Sequence, residues 1–405
     1  MDRIGSFQTI NHIAVSSPSK VRTTETSGTN EASLTSSMSA GADSSDITGL
    51  AQLETPKDSI KTLASGLGYA EFPQVSPDGK KLVFNVVADY TTSQMFIMDS
   101  DGGKVKSLFT GETITPDNFK SFMDERKGKT DEQGTWSHDG KTVFYRTNEK
   151  GTFGIAKFNL KHSESELLVH DPNMNLKHPE ETEDGFIVGY GGKPGQKFKT
   201  SEEYSDIFIA DPKKGTYELI THSDGSVAYK HPSIMDGKIL AHKEPKGSED
   251  ANADLVLINP RNGRETNLTN TPNADERHPF YNEKVDLLAF HSNETHDKNL
   301  WISTADGKKK CQLTFYGKAA QSPCWSPDGS KIYFVKKLDN QPEGQPFYNR
   351  QADIRVIDVK DALKDLKKQS KHQLKQLEES GADKAMIKQA EEKLETYKYF
   401  LKRYE

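Results

Sequence analysis

The sequence predicts an all-β fold: a six-bladed β-propeller closed by an N-terminal strand, with a disordered N-terminal tail and a C-terminal helical hairpin. Three observations predict it. A strand–turn–strand phrase recurs six times between residues 73 and 334. A second strand follows every copy, and a third, shorter strand follows only the first five. The copy missing after the sixth unit stands ahead of the first.

The first phrase reads PQVSPDGKKLVF (73–84), GTWSHDGKTVFY (134–145), HPEETEDGFIVG (178–189), HPSIMDGKILAH (231–242), HPFYNEKVDLLAF (278–290) and SPCWSPDGSKIYF (322–334). Asp-Gly at the best turns is hairpin chemistry, because glycine adopts φ > 0 at no steric cost. The second phrase alternates apolar and polar residues with period two, as in SQMFIMD (93–99), SDIFIAD (205–211) and ADIRVID (352–358). The third appears as KVKSLF (104–109), ESELLV (164–169), TYELIT (216–221), RETNLT (264–269) and KKCQLT (309–314). SIKTLA at 59–64 is the displaced copy. Four strands per unit, A to D from the inside outwards, make a blade. The N-terminal D strand then completes unit six and closes the ring, which removes exposed sheet edges.

The domain plan follows: a Ser/Thr-rich tail over 1–55, a propeller over 56–360 and a helical hairpin or coiled-coil segment over 361–405. The tail has almost no large apolar residues and cannot offset its chain entropy. In the last segment Ile387, Ala390, Leu394, Tyr397, Leu401 and Tyr404 form a heptad seam. Leu363, Leu366, Leu374 and Leu377 form a looser stripe before a break at Gly381. The seam packs on the propeller or on its own hairpin, or joins copies through 382–405.

Acidic residues number 60 against 54 basic ones, a net charge of −6. That balance argues against a nucleic-acid binder. No apolar run reaches the roughly 18–20 residues of a membrane span. The N-terminus lacks the apolar core of a secretory signal, so the default expectation is cytoplasmic, with export by a non-Sec route as the alternative. Cys311 and Cys324 lie in strand patterns and read as buried thiols. Trp136, Trp301 and Trp325 read as packing between blades.

The wording SPDGSKIYF after NLWISTADGKKKCQLTFYGKAAQ (299–321), with FPQVSPDGKKLVF (72–84), is similar to the TolB family of β-propeller repeats. The resemblance covers about 58–360 and is strongest in units one, five and six. It implies a six-bladed propeller that binds other proteins. The family's small α/β domain and signal peptide have no counterpart in 1–55, so a cell-envelope role does not carry over.

Three histidines precede proline at the start of strand A: His178, His231 and His278. Pro73 and Pro323 hold the matching place in units one and six, where Phe72 and Ser322 replace histidine. Strand A is innermost, so these imidazoles are expected to ring the mouth of the channel, with Arg277 beside them either in a structural ion pair or holding an acidic group. Converging neutral imidazoles can bind a divalent metal. The plan resembles oligogalacturonate lyases, propellers with histidines and a metal at the channel mouth. No G-x-S-x-G elbow is present, so the serine peptidases that carry such propellers are not supported. Asp78, Asp139 and Asp328 serve their turns. Long B–C loops at 190–204, 243–252 and 335–351 carry Phe198, Tyr204, Phe347 and Tyr348 on the histidine face. Recognition commonly resides on such loops. The expectation is therefore a protein- or peptide-binding scaffold without a cofactor. A metal-dependent lyase or hydrolase using His178, His231 and His278 comes second. An oligomer assembled through its helices comes third.

Overall fold

The computed structural model describes residues 52–195, 204–245, 252–271, 273–338 and 351–405. The tail up to residue 51 and most of the three long B–C loops, with Phe198, Phe347 and Tyr348, lie outside the described residues.

Units two to five each form a separate four-stranded antiparallel sheet whose strands pair in chain order. These are four blades in a propeller arrangement. Their A strands are Asp131–Trp136, Asn175–Glu181, Val227–Met235 and Glu276–Asn282. Units one and six share a nine-stranded sheet. Within it, Tyr69–Val75, Lys81–Asp89, Thr92–Asp99 and Val105–Ser107 form one antiparallel run. Ala320–Trp325, Lys331–Lys337 and Ala352–Asp358 form another. A single parallel pair, Tyr69 with Ala352, links the two runs.

The outer neighbour of Ala352–Asp358 is the displaced strand, Ile60–Ala64. Its register runs Ile60 to Ile357, Lys61 to Val356 and Thr62 to Arg355. Unit six thus takes its fourth strand from the chain ahead of unit one, as the displaced phrase predicts.

The turns use the chemistry their sequence offers. Ser76, Ser137 and Ser326 donate hydroxyl hydrogen bonds to Asp78, Asp139 and Asp328 at 2.6, 2.8 and 2.6 Å. The same carboxylates accept from the backbone N–H of Lys80, Lys141 and Ser330. Each carboxyl is held below its usual range: by those hydrogen bonds first at Asp78 and Asp139, and against the opposing effect of burial at Asp328.

The sheets bury both faces. Val83, Met95, Val143 and Phe158 close the contact between units one and two, and Leu240, Leu255, Phe290 and Trp301 that between units four and five. Cys311 and Cys324 are buried free thiols.

Among the described residues, three α-helices are added. The insertion after unit one contains α1 (Pro116–Asp124), entered through a Thr115/Asn118 capping box and a proline in the first turn. Its Phe122 is buried against Phe96, ring centres 5.8 Å apart. The C-terminal pair is α2 (Val359–Glu379) and α3 (Lys384–Leu401), broken at Gly381 with φ 68°. Asp358 and Asp383 cap their N-termini by accepting from the N–H of Asp361 and Ala385. Val359, Leu363, Leu366, Tyr397, Phe400 and Leu401 pack on Leu300, Trp325 and Phe334 of units five and six. Each fully buried leucine there contributes about 1.5–3 kcal/mol. The Tyr397 hydroxyl donates to the Gln312 carbonyl at 3.0 Å. Ala390, Leu394, Tyr397 and Leu401 of the heptad seam are therefore buried within this one chain. Among the described residues, no helix is long and apolar enough to cross a membrane.

Candidate functional site

Strand A carries the same irregularity in all six units. The pairing with strand B shifts register between Glu71 and Gln74, Glu132 and Thr135, Lys177 and Glu180, Lys230 and Ser233, Arg277 and Phe280, and Gln321 and Cys324. Inside each shift one non-glycine residue has a left-handed backbone: Phe72 (φ 49°), Gln133 (55°), His178 (53°), His231 (48°), His278 (53°) and Ser322 (53°). Such a conformation costs about 1–2 kcal/mol per residue. The following residue fits the interruption. Proline has no N–H to waste where the ladder is broken. Five units have proline there and unit two has Gly134. A bulge re-aims a side chain, and here it sets Phe72, His178, His231, His278 and Ser322 around one space.

Phe72 lies 5.7, 5.2 and 5.4 Å, centre to centre, from His178, His231 and His278. His178 and His231 are 4.7 Å apart, and His231 and His278 are 3.9 Å apart. The rings fill the channel rather than lining an open mouth: His178 is 8% exposed and His231 9%. The sequence names these three and misses two more. His242 stacks on His231 at 5.2 Å, and His291 meets His278 edge-on at 4.8 Å. Both sit on strand B opposite Lys230 and Arg277, and both are buried. Their signal was a histidine at the same place in successive copies, closing KILAH and LLAFH.

Burial, more than any neighbouring charge, pushes all five imidazoles well below their ordinary range, His178 to about 3. They are neutral. His278 Nδ1 shares a hydrogen bond with the Ser322 hydroxyl at 2.9 Å. His178 Nδ1, His231 Nδ1 and both nitrogens of His242 have no partner within the protein. Among the described residues, no group of three or more His, Cys, Asp or Glu side chains is arranged to hold a metal ion. The rings meet at varied angles, from 17° between His231 and His242 to 86° between His278 and His291.

Arg277 is engaged by its own chain. Its guanidinium pairs with Glu244 and Asp275, each at 2.7 Å. Glu244 also holds Lys230, and Asp275 holds Lys298. Tyr204 is half-buried and within electrostatic reach of Tyr217 on the outermost strand of unit three. His170 shares a hydrogen bond with Thr152 at 2.8 Å.

Two cavities flank the ring plug. On the A–B turn side a space of about 20 Å³ is bounded by Gln74, Glu180, Ser233 and Phe280. Burial pushes the Glu180 carboxyl up to about 8, with Glu181 adding to the effect. On the B–C side a larger cavity of about 290 Å³ lies between units one and two. Glu71, Glu132, Gln133, Arg146, Phe153 and His231 form its floor and walls, and Tyr90 and Asp89 its rim. Glu132 and Arg146 form an ion pair. Tyr90 is 55% exposed. Sequence reading missed this site because Gly134 replaces the proline that marks the bulge elsewhere, hiding the equivalence of Gln133 with the histidines.

No protein-family model matches the chain, and no curated protein matches it. Solved structures do. TolB from Acinetobacter baumannii is 17% identical with a TM-score of 0.48, over 64% of this chain and 57% of that one. This chain thus spans little more than half of that TolB. An oligogalacturonate lyase from Vibrio parahaemolyticus is 14% identical with a TM-score of 0.45, over 75% of this chain and 92% of that one. Another oligogalacturonate lyase, in complex with manganese, is 14% identical with a TM-score of 0.48, over 74% and 92%.

Proposed function

We propose that the chain is a ring of six blades, similar to the TolB propeller, that serves as a docking platform for a polypeptide. The count of six rests on the six equivalent left-handed positions, one in each repeat, and on dividing the nine-stranded sheet at its single parallel pair. The platform is the face from which the B–C connections emerge. The observation that carries the reading is the cavity of about 290 Å³ that opens on that face with Tyr90 standing exposed at its rim. Aromatic groups among polar ones suit a protein interface. Long connections on a rigid sheet scaffold suit recognition.

The test is site-specific photocrosslinking in the native host. A benzophenone amino acid at position 90 is expected to give one discrete adduct. The same residue at position 138, on the opposite A–B face, is expected to give none. Identical adduct patterns from both positions, or none from either, would remove the platform reading.

A further inference from the structure

The pair of strands that closes the ring does not end with the blade. In unit six, Ile60 faces Ile357 across the antiparallel pair. From there the two chains run on in opposite directions, one back towards residue 52 and the other forward into α2. They keep meeting. Glu54 donates its backbone N–H to Gln369 Oε1 at 2.8 Å, and Gln369 Nε2 donates to the Glu54 carbonyl at 3.2 Å. One side-chain amide thus grips both polar groups of one backbone residue, as a neighbouring strand would. Gln369 Nε2 also donates to Asp365 at 2.8 Å, which orients the amide. Leu53 is buried in the apolar cluster that contains Leu313, Leu363 and Leu366. Thr55 is buried too, and its hydroxyl accepts from the backbone N–H of Phe315, just past the last strand of unit five, at 2.7 Å.

We propose that residues 52–55 and the helix pair form a clasp on ring closure, so that the closing strand and the helices are held or released as one unit. Both halves of the clasp are joined to the closing pair by short, ordered chain. Val359 opens α2 directly after Ala352–Asp358, and its N–H donates to the Ser330 carbonyl at 3.0 Å. Residues 52–55 reach Ile60 through a single turn of 3-10 helix, Lys57–Ser59. Neither link has slack to absorb a displacement, so movement at one end is passed to the other. Water can replace the Gln369 bonds, which set the register. The buried leucine supplies most of the grip, because apolar burial outweighs a hydrogen bond open to solvent. The helix pair is thereby a handle on ring closure that lies outside the ring.

Hydrogen–deuterium exchange on the full chain, read by mass spectrometry, tests this from both ends. Leu53→Ser strips the anchor without touching a strand. Exchange is expected to rise about tenfold in Ile60–Ala64 and in α2 and α3 together, while units two to four keep the parent's protection. Leu63→Ala loosens the closing strand itself. Coupling between two sites is reciprocal, so residues 52–55 and α2 should then speed up by roughly the same factor. Gln369→Ala, which leaves the buried leucine in place, should show the same joint pattern at about threefold. It serves where Leu53→Ser yields too little folded protein. If Leu53→Ser or Gln369→Ala speeds the helices but leaves Ile60–Ala64 at the parent's rate, the helices are a separate cap and the clasp is overturned. Helices unmoved by Leu63→Ala would overturn it as well. So would a uniform rise across all units, which would assign Leu53 to general stability alone.

Discussion

The channel wall of units three to five and that of units one and two are built on one backbone device and put it to opposite uses. In units three to five the bulge aims histidine inward. The imidazoles pack on one another and on Phe72, and the cations beside them, Lys230 and Arg277, are bound by Glu244 and Asp275. In units one and two the bulge carries Phe72 and Gln133, the flanking residues are Glu71 and Glu132, and the space stays open. The lesson is that the repeat fixes where the bulge side chains point, while the residue at and before each bulge decides whether the space beside it is filled or open.

Removing a ring from the filled half should have the largest effect. His231→Ala leaves a hole between His178, His242, His278 and Phe72. Urea unfolding should show a loss of about 2–4 kcal/mol. A loss under half of that would mean the imidazoles are loosely held and the contrast between the two halves is overstated.

Acid should separate the halves next. The five inner imidazoles have folded values well below their ordinary one. The unfolded chain therefore takes up protons that the folded chain refuses. Their stability is present above about pH 6.5 and is lost as pH falls, at about 1.4 kcal/mol per pH unit for each such proton. Melting temperature should drop steeply from pH 7 to 5. His242→Gln should make that slope shallower.

Arg277→Met keeps the apolar stem and strips the charge shared by Glu244 and Asp275. Lys230 and Lys298 still reach those carboxylates, so the loss should be about 1–2 kcal/mol.

A further effect has the opposite pH sense. Glu71 and Glu180 have folded values raised to about 8 from an ordinary 4.5. The folded chain retains protons that the unfolded chain gives up, so their contribution is present below about 4.5 and is lost as pH rises through 8. The melting temperature of Glu180→Gln relative to the parent should climb between pH 6 and pH 8.5. A flat difference would place that carboxyl in water and erase the distinction between the two sides of the plug.

Much of this architecture is legible in the sequence. SIKTLA predicts the strand that pairs with Ala352–Asp358, and the six phrases locate every A strand. Ser-x-Asp-Gly turns announce themselves because the side chains that close them are local. Three inner histidines are legible through the proline that follows them. What is not legible depends on neighbours remote in the chain. His242 and His291 look like ordinary strand residues until strand B is set beside strand A. Gln133 is masked by Gly134, which permits the same bulge without the proline flag. The short helix α1 hides in a polar insertion because only Phe122 and Met123 of its residues are buried. The heptad seam fits a cover by the propeller, by its own hairpin or by a second copy until the sheet that covers it is known.

The strand Ile60–Ala64 has a consequence for the order of events during synthesis. Its partner residues, from Ile357 back to Ile354, are made nearly three hundred positions later. At about 5–20 residues per second, it leaves the ribosome roughly 15–60 s before anything can pair with it. For that interval the nascent chain carries an unsatisfied ribbon, and the last unit to emerge must reach back across the growing molecule to capture it. A substitution that makes those five residues stickier would therefore harm the yield of correctly assembled protein even if the finished molecule were more stable for it.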